Sequence, residues 1–422
     1  MKLQLLFLMM LLASISYGQV SITTTAAAPD ESAMFDVVSS EKGMLIPRMT
    51  QLQKSEIPQP AKSLLIYQTD GTEGFYYNEG TAAEPNWQLL GGDDLALSSR
   101  TPISALPFAI SSSGSYYVTE HLSGTTGISI SVSNVTIDLN GYTIQAASGA
   151  SGDGIVASAI VENIKIMNGS TTGWPDKGID LRNADYSQIS YVNSQGNGGD
   201  GIECGDNSQV SNCIVSGNSF DGIDLGHYGS VSACMTSGNT DNGIELGDYG
   251  TVIACSSYSN DGNGIEGLKY ATIYDCTLTG NTGTGAVTNA GSRVTNTIAS
   301  ENSQSGFEVN TASTLKSNTA RDNGLHGFEL LSDCHLQGNT ADGNASAGFF
   351  TTSSDVRFDS NHATDNGTYG FDVISSFGCS LIKNTASSNT ISNYNLSSNN
   401  AAPMVTPATI NSATNPFANI NF

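Results

Sequence analysis

Glycine recurs along this 422-residue chain at a spacing that very few folds accommodate. Gly154, Gly178, Gly201, Gly222, Gly243, Gly264, Gly285, Gly306, Gly327, Gly348 and Gly370 each precede an apolar residue, and every step from Gly201 to Gly348 is 21 residues. The flanking steps are 22 to 24 residues. The followers are Ile155, Ile179, Ile202, Ile223, Ile244 and Ile265, then Ala286, Phe307, Phe328, Phe349 and Phe371. Side chains alternate faces along a strand, so Ile223 and Leu225 point one way and Asp224 the other. A helical-hairpin repeat needs about 30 or more residues with a 3.6-residue period, which is absent. A coil of three short strands, stacked on its neighbours at about 4.8 Å, fits the spacing.

Two more columns keep the register. One runs Val192, Cys213, Cys234, Cys255, Cys276, Thr297, Asn318, Asn339, Asn361 and Asn384; the other runs Asn197, Asn218, Asn239, Asn260, Asn281, Asn302, Asn323, Asn344, Asn366 and Asn389. Asn tolerates the left-handed backbone of tight turns, and its amide can bond to the Asn above and below. The expected fold is all-β: a solenoid of three strands per coil with a small β-rich module before it. The pattern resembles the right-handed parallel β-helix proteins of the pectate-lyase-like superfamily over residues 106–422, through its Gly-Ile-x-Leu, Asn and Asn positions. That superfamily includes lyases, hydrolases, epimerases, tailspikes, adhesins and proteins without known chemistry, so the resemblance implies the fold and leaves the activity open.

The expected organisation is a signal peptide over residues 1–18, a module over 20–92, a linker over 93–105 and the β-helix over 106–422. Within the helix, 106–150 form the cap and first coil, 154–398 the repeats and 399–422 the closing cap. Lys2, an apolar run over 5–12 and small residues over 13–18 carry the export reading, and the run is shorter than the roughly 20 residues of a membrane span. The chain is therefore expected to be secreted or held at the cell surface, without a transmembrane helix. In the module, residues 64–67, 74–77 and 87–90 read as an antiparallel sheet. Residues 33–38 and 42–50 resemble N-terminal segments of secreted bacterial surface and tail-fibre-like chains, which suggests an attachment context. The oligomeric state is left open.

A formal charge of −24 repels nucleic acid and anionic lipid and attracts cations, Ca²⁺ among them. No cofactor is required by the pattern. The four stacked cysteines share their column with Val192 and Thr297, which makes buried thiols the simplest reading, with disulfides or a metal as alternatives. Asp180, Glu203, Asp224, Glu245, Glu266, Glu308, Glu329 and Asp372 follow the core Ile or Phe and are expected to face outward. Like charges about 5 Å apart repel by roughly 0.8 kcal/mol in water, so the stripe either recruits a cation or ligand or keeps an edge-rich solenoid soluble.

Where the repeat breaks, Asp206, His227, Asp248 and Lys269 form one column, and Tyr228, Tyr249 and Tyr270 the next, with Tyr186 earlier. No Arg lies between Glu203 and Tyr270. The candidate catalytic groups are Asp224, Glu245, His227 and Lys269. The candidate glycan-binding groups are Tyr228, Tyr249, Tyr270, Glu203 and Asp206, and Glu245, Asp248 and Glu266 are candidate Ca²⁺ ligands. Stacked turn residues without chemistry are the alternative for all of them. Three readings remain: a polysaccharide- or surface-glycan-binding protein using this face, a polysaccharide lyase or glycoside hydrolase at the same face, and a structural stalk or adhesin.

Overall fold

A computed structural model describes residues 20–23, 30–90, 100–374, 378–397, 403–406 and 415–422. The expected signal peptide lies outside them, as does half of the closing cap. The chain divides into two compact units between Ser98 and Ser99.

The second unit is a parallel β-solenoid. Its front sheet has fourteen strands, from Phe108–Ile110 to Ser392–Leu396, each beginning at the apolar residue after a repeat glycine or close to it. The register is the one the glycine spacing predicts: Ile202 pairs with Ile223, Ile223 with Ile244 and Ile244 with Ile265. The other two strands of each coil, such as Ser230–Ser232 and Met235–Ser237, pair only with their counterparts one coil away. Residues 93–105 were expected to be linker, yet Arg100–Ile103 is a strand of the solenoid, paired with Gly114–Val118. At the far end Asn419–Asn421 pairs with Thr385–Ser387.

The interior shows why the front column can change from Ile to Phe. Phe307, Phe328, Phe349 and Phe371 stack at 4.8 to 5.0 Å between ring centres. The inward position of the third strand, which varies among Val215, Thr236, Ser257 and Leu278 in the Ile coils, is uniformly small in the Phe coils: Ala320, Ala341, Ala363 and Ala386. The small side chains leave room for the large rings in a close-packed interior.

Two amide ladders run through the corners. In the longer, Asn218 donates from both Nδ2 and its backbone N–H to Oδ1 of Asn239, and Asn239 does the same to Asn260, at 2.9 to 3.1 Å. The left-handed residue at this corner is the one before the Asn, Gly217 or Gly238, so the Asn itself points inward and is buried. The expectation that Asn supplied the left-handed turn is thus corrected: its inward amide satisfies corner N–H groups that bury away from water. The same ladder explains the repeat glycines. A Cβ at Gly222 would meet the Gly243 carbonyl at 2.5 Å and the Asn239 amide at 2.7 Å. In the shorter ladder Asn318, Asn339, Asn361 and Asn384 continue the cysteine column and end on Asn419. All seven cysteines are free and buried. The backbone N–H groups of Cys213 and Cys234 each meet the sulfur of the next cysteine at 3.4 Å, and Thr297 takes that place for Cys276. Burial pushes the Cys276 thiol up to about 11.

The first unit is small. Leu65–Gln68, Gly74–Asn78 and Trp87–Leu89 form the expected antiparallel sheet, and Arg48–Met49 adds a parallel edge. Val20–Thr23 pairs in parallel with Phe35–Val38, and a short helix, Gln51–Ser55, starts at a Thr50 capping box.

Asn281→Ala removes the acceptor for both donors of Asn260, leaving its backbone N–H buried and unpaired and its Nδ2 with Ser257 Oγ alone. It is expected to cost about 2–4 kcal/mol, whereas Cys276→Thr, which copies the next coil, costs far less. Unfolding midpoints of the two variants check this ordering.

Candidate functional site

Every coil presents two outward positions beside its glycine. Two residues after it stands the acidic column, in register from Asp180 through Glu203, Asp224 and Glu245 to Glu266. Val287 interrupts it, Glu308 and Glu329 resume it, and Phe350 interrupts it again. These side chains face outward, as expected, but most are half-buried by their neighbours.

Immediately before each glycine stands a column that sequence reasoning passed over: Asp153, Lys177, Asp200, Asp221, Asn242 and Asn263. Its carboxylates and amides accept backbone N–H groups of the next coil, Asp153 from Lys177, Asp200 from Asp221, Asp221 from Asn242 and Asn242 from Asn263, at 2.8 to 2.9 Å. The two columns touch. Asn242 Nδ2 donates to Glu245 at 3.2 Å and Asn263 Nδ2 to Glu266 at 3.0 Å, so in those coils a neutral amide accompanies each acid. In the coils of Asp200–Glu203 and Asp221–Asp224 both members are acids.

Two cations meet this concentration of carboxylates. Lys177 bridges Asp200, at 3.1 Å, and Glu203. Arg182 clasps Asp180 and reaches Glu203 at 3.5 Å, so an arginine from the preceding coil enters the patch. Burial works against the charge on Lys177, but Glu203 and Asp200 hold its pKa above the ordinary value. Beyond the reach of these cations, burial and the neighbouring Glu245 raise Asp221 to about 8. Burial, Glu245 and Glu203 raise Asp224 to about 7. Oxygens of Asp200, Glu203 and Asp224 all lie within 4.8 Å of one another.

The other singled-out residues lie in the turn after the strand. Asp206, His227 and Asp248 each use one side-chain atom to accept a backbone N–H one coil on, from His227, Asp248 and Lys269 respectively, at 2.8 to 3.0 Å. His227 therefore has an unprotonated Nδ1 and only Nε2 left for other partners. The expected Ca²⁺ trio of Glu245, Asp248 and Glu266 is not assembled, because Asp248 is drawn onto the Lys269 backbone. Among the described residues, the acidic group close enough to share one cation is Asp200, Glu203 and Asp224. Tyr228, Tyr249 and Tyr270 all hold left-handed backbone angles and stack nearly parallel, with ring centres 4.9 and 4.8 Å apart. About half of each tyrosine is exposed. Where the acidic column breaks at Val287, a cavity of about 160 Å³ opens between Glu266, Leu268, Asn289, Glu308 and Leu331.

Residues 226–354 match the family model described as right handed beta helix region. The solenoid is a right-handed β-helix. Residues 21–103 match a second model, phage tail like trimerisation region. No curated protein matches the chain in sequence. Among solved structures it is similar to the A-module of a mannuronan C-5 epimerase from Azotobacter vinelandii, at 14% identity over 72% of this chain and 90% of that one, with a TM-score of 0.44. It is also similar to a tailspike protein from an Acinetobacter baumannii bacteriophage, a capsular polysaccharide depolymerase, at 11% identity over 73% and 75%, TM-score 0.44. A pectate lyase matches at 18% identity over 63% and 71%, TM-score 0.37.

The raised carboxyl groups predict how the β-helix responds to pH. Between about pH 4 and pH 8 the folded chain keeps a proton on Asp221 that the unfolded chain has released, so stability falls as pH rises through that window. Asp221→Asn keeps the acceptor for Asn242 and copies the next two coils. It is expected to flatten this slope and to gain about 1–3 kcal/mol above pH 8 after allowance for solvent screening, as read from denaturant titrations across pH.

Proposed function

We propose that this is a secreted or surface-exposed β-helix protein that binds a polysaccharide along the face carrying the acidic column and the tyrosine ladder. The observation that carries the reading is the stack of three parallel, half-exposed tyrosine rings on the turns that follow the acidic strands. The stacked rings leave their edges and hydroxyl groups for a ligand, and sugar hydroxyls can pair with these phenols and with the carboxylates and amides beside them. A net charge of −24 favours neutral or amine-bearing glycans, and a uronate polymer would need a bridging cation such as Ca²⁺. The match of residues 21–103 supports a trimeric assembly carried by the N-terminal module, whose exposed Val20, Ile22, Phe35, Val38, Met44 and Leu45 are suited to burial between chains.

A second reading, glycoside hydrolysis, rests on one pair. Glu203 is ion-paired to Lys177 and Arg182, while Asp224 keeps its proton to about pH 7 within 4.8 Å of it. Two carboxyl groups pushed apart in this way suit a general acid and an ionised partner. The remaining alternative, a stalk without ligand, predicts no binding at all.

A glycan array and a polysaccharide degradation panel, run on the full chain with and without Ca²⁺, separate the three readings. A binder loses about 1 kcal/mol, roughly fivefold in Kd, for each of Tyr249→Ala and Tyr270→Ala. A hydrolase loses about 10²–10⁴-fold in turnover with Asp224→Asn while binding survives. No bound glycan and no cleavage would leave the stalk.

A further inference from the structure

One corner of the solenoid differs from the rest of its surface. It lies between the second and third strands of each coil, at the left-handed residues Asn212, Ala233, Ala254 and Asp275. On one flank Ile253 and Tyr274 are outward neighbours in adjacent coils. On the other, Ile214 stands beside Met235, and the Tyr258 hydroxyl meets the Met235 sulfur at 3.5 Å. These five side chains are 38% to 48% exposed. Across the four coils, residues 209–217, 230–238, 251–259 and 272–280 contain a single charged side chain, Asp275. Four coils rise about 19 Å, a strip tall enough to matter in an interface. From Arg293 onward the same corner regains charge, with Lys316, Arg321, Asp322 and Arg357.

We infer that this uncharged corner, residues 209–280, points toward the axis of a homotrimer and packs the β-helices of three copies against one another. The inference rests on the trimeric reading of residues 21–103, a match that extends into Arg100–Ile103, the first strand of the solenoid. Chains joined there hold their β-helices at high effective concentration, so a modest apolar strip suffices to bring them together. Chains of charge −24 repel one another, and a face without carboxylates is where they approach at least cost. The shape also fits. A cyclic trimer uses head-to-tail contacts, in which each chain offers two different surfaces that meet at the axis. The two flanks of one corner are such a pair: at equal height Ile253 of one chain faces Tyr258 of the next, with Tyr274 one coil above and Met235 and Ile214 one and two coils below. Ala233 and Ala254 at the edge let the backbones come close. The packing leaves the acidic sheet turned away from the axis, open to a ligand.

The test uses the full-length chain with Ala254→Cys, the added thiol being exposed where the seven native thiols are buried. Light scattering gives the mass, and a short bismaleimide reports whether residue 254 of two chains meets. The expected result is a trimer that cross-links efficiently. Adding Met235→Glu and Ile253→Glu lowers cross-linking at least tenfold while the mass stays trimeric, and a thiol at Asp261→Cys, on another corner, does not cross-link. A monomeric mass would overturn the trimeric reading. A trimer in which residue 254 fails to cross-link, or in which Asp261→Cys links as well, would overturn the corner contact and leave the trimeric reading standing.

Discussion

The structure depends on closure of each coil after the same number of residues. When 21 residues bring the chain back above its starting point, every side chain meets its own counterpart, and any interaction favourable between identical groups repeats along the axis. Asn is the residue that uses this best, because one amide carries both a donor and an acceptor. Asn218, Asn239 and Asn260 each give Nδ2 and backbone N–H to the next Oδ1. The ladder satisfies corner N–H groups that no strand pairing reaches, and it crowds the adjacent glycine so closely that a Cβ is excluded. Glycine spacing, amide ladder and strand register are consequences of one geometric condition.

Self-stacking that suits amides and aromatic rings is unfavourable for charges, and the molecule handles the acidic column in two ways. In the coils of Asn242 and Asn263 each glutamate has an amide donor beside it, which solvates the charge locally. In the coils of Asp200 and Asp221 the amide is replaced by a second acid, and compensation comes from Lys177 and Arg182 at one end and from retained protons on Asp221 and Asp224 at the other.

Much of the fold was legible because periodicity is a one-dimensional signal. The Ile-to-Phe column, the free cysteines and the outward acids all followed from counting, and Val192 and Thr297 sufficed to identify the cysteine column as a packing position. The strand Arg100–Ile103 was hidden because it precedes the repeat and contains a proline. The candidate site was half legible. Asp224, Glu245 and the tyrosines stand where the alternation puts them, but His227 and Asp248 looked like free chemistry and instead hold backbone N–H groups of the neighbouring coil. Asp221 and Lys177 were overlooked because the position before each glycine carries acid, lysine, amide or hydroxyl in turn and so shows no single repeating residue type.

In a solenoid of near-identical coils, chemistry specific to one place has to come from a departure in the period. The steps before Gly201 are 24 and 23 residues, against 21 from Gly201 to Gly348, and the added residues fall in the coils that carry Lys177, Asp180 and Arg182. A regular coil has no room for a different turn, since Gly324 already sits so close to Ser303 that a Cβ would meet its carbonyl at 2.2 Å. Longer coils relax the self-stacking rule and let a lysine occupy a column that is elsewhere acid or amide. The regular coils that follow then extend this singular end into a uniform acidic track. The polymeric ligand proposed for this face would have a period of its own to match such a track, one end of which differs in charge from the rest.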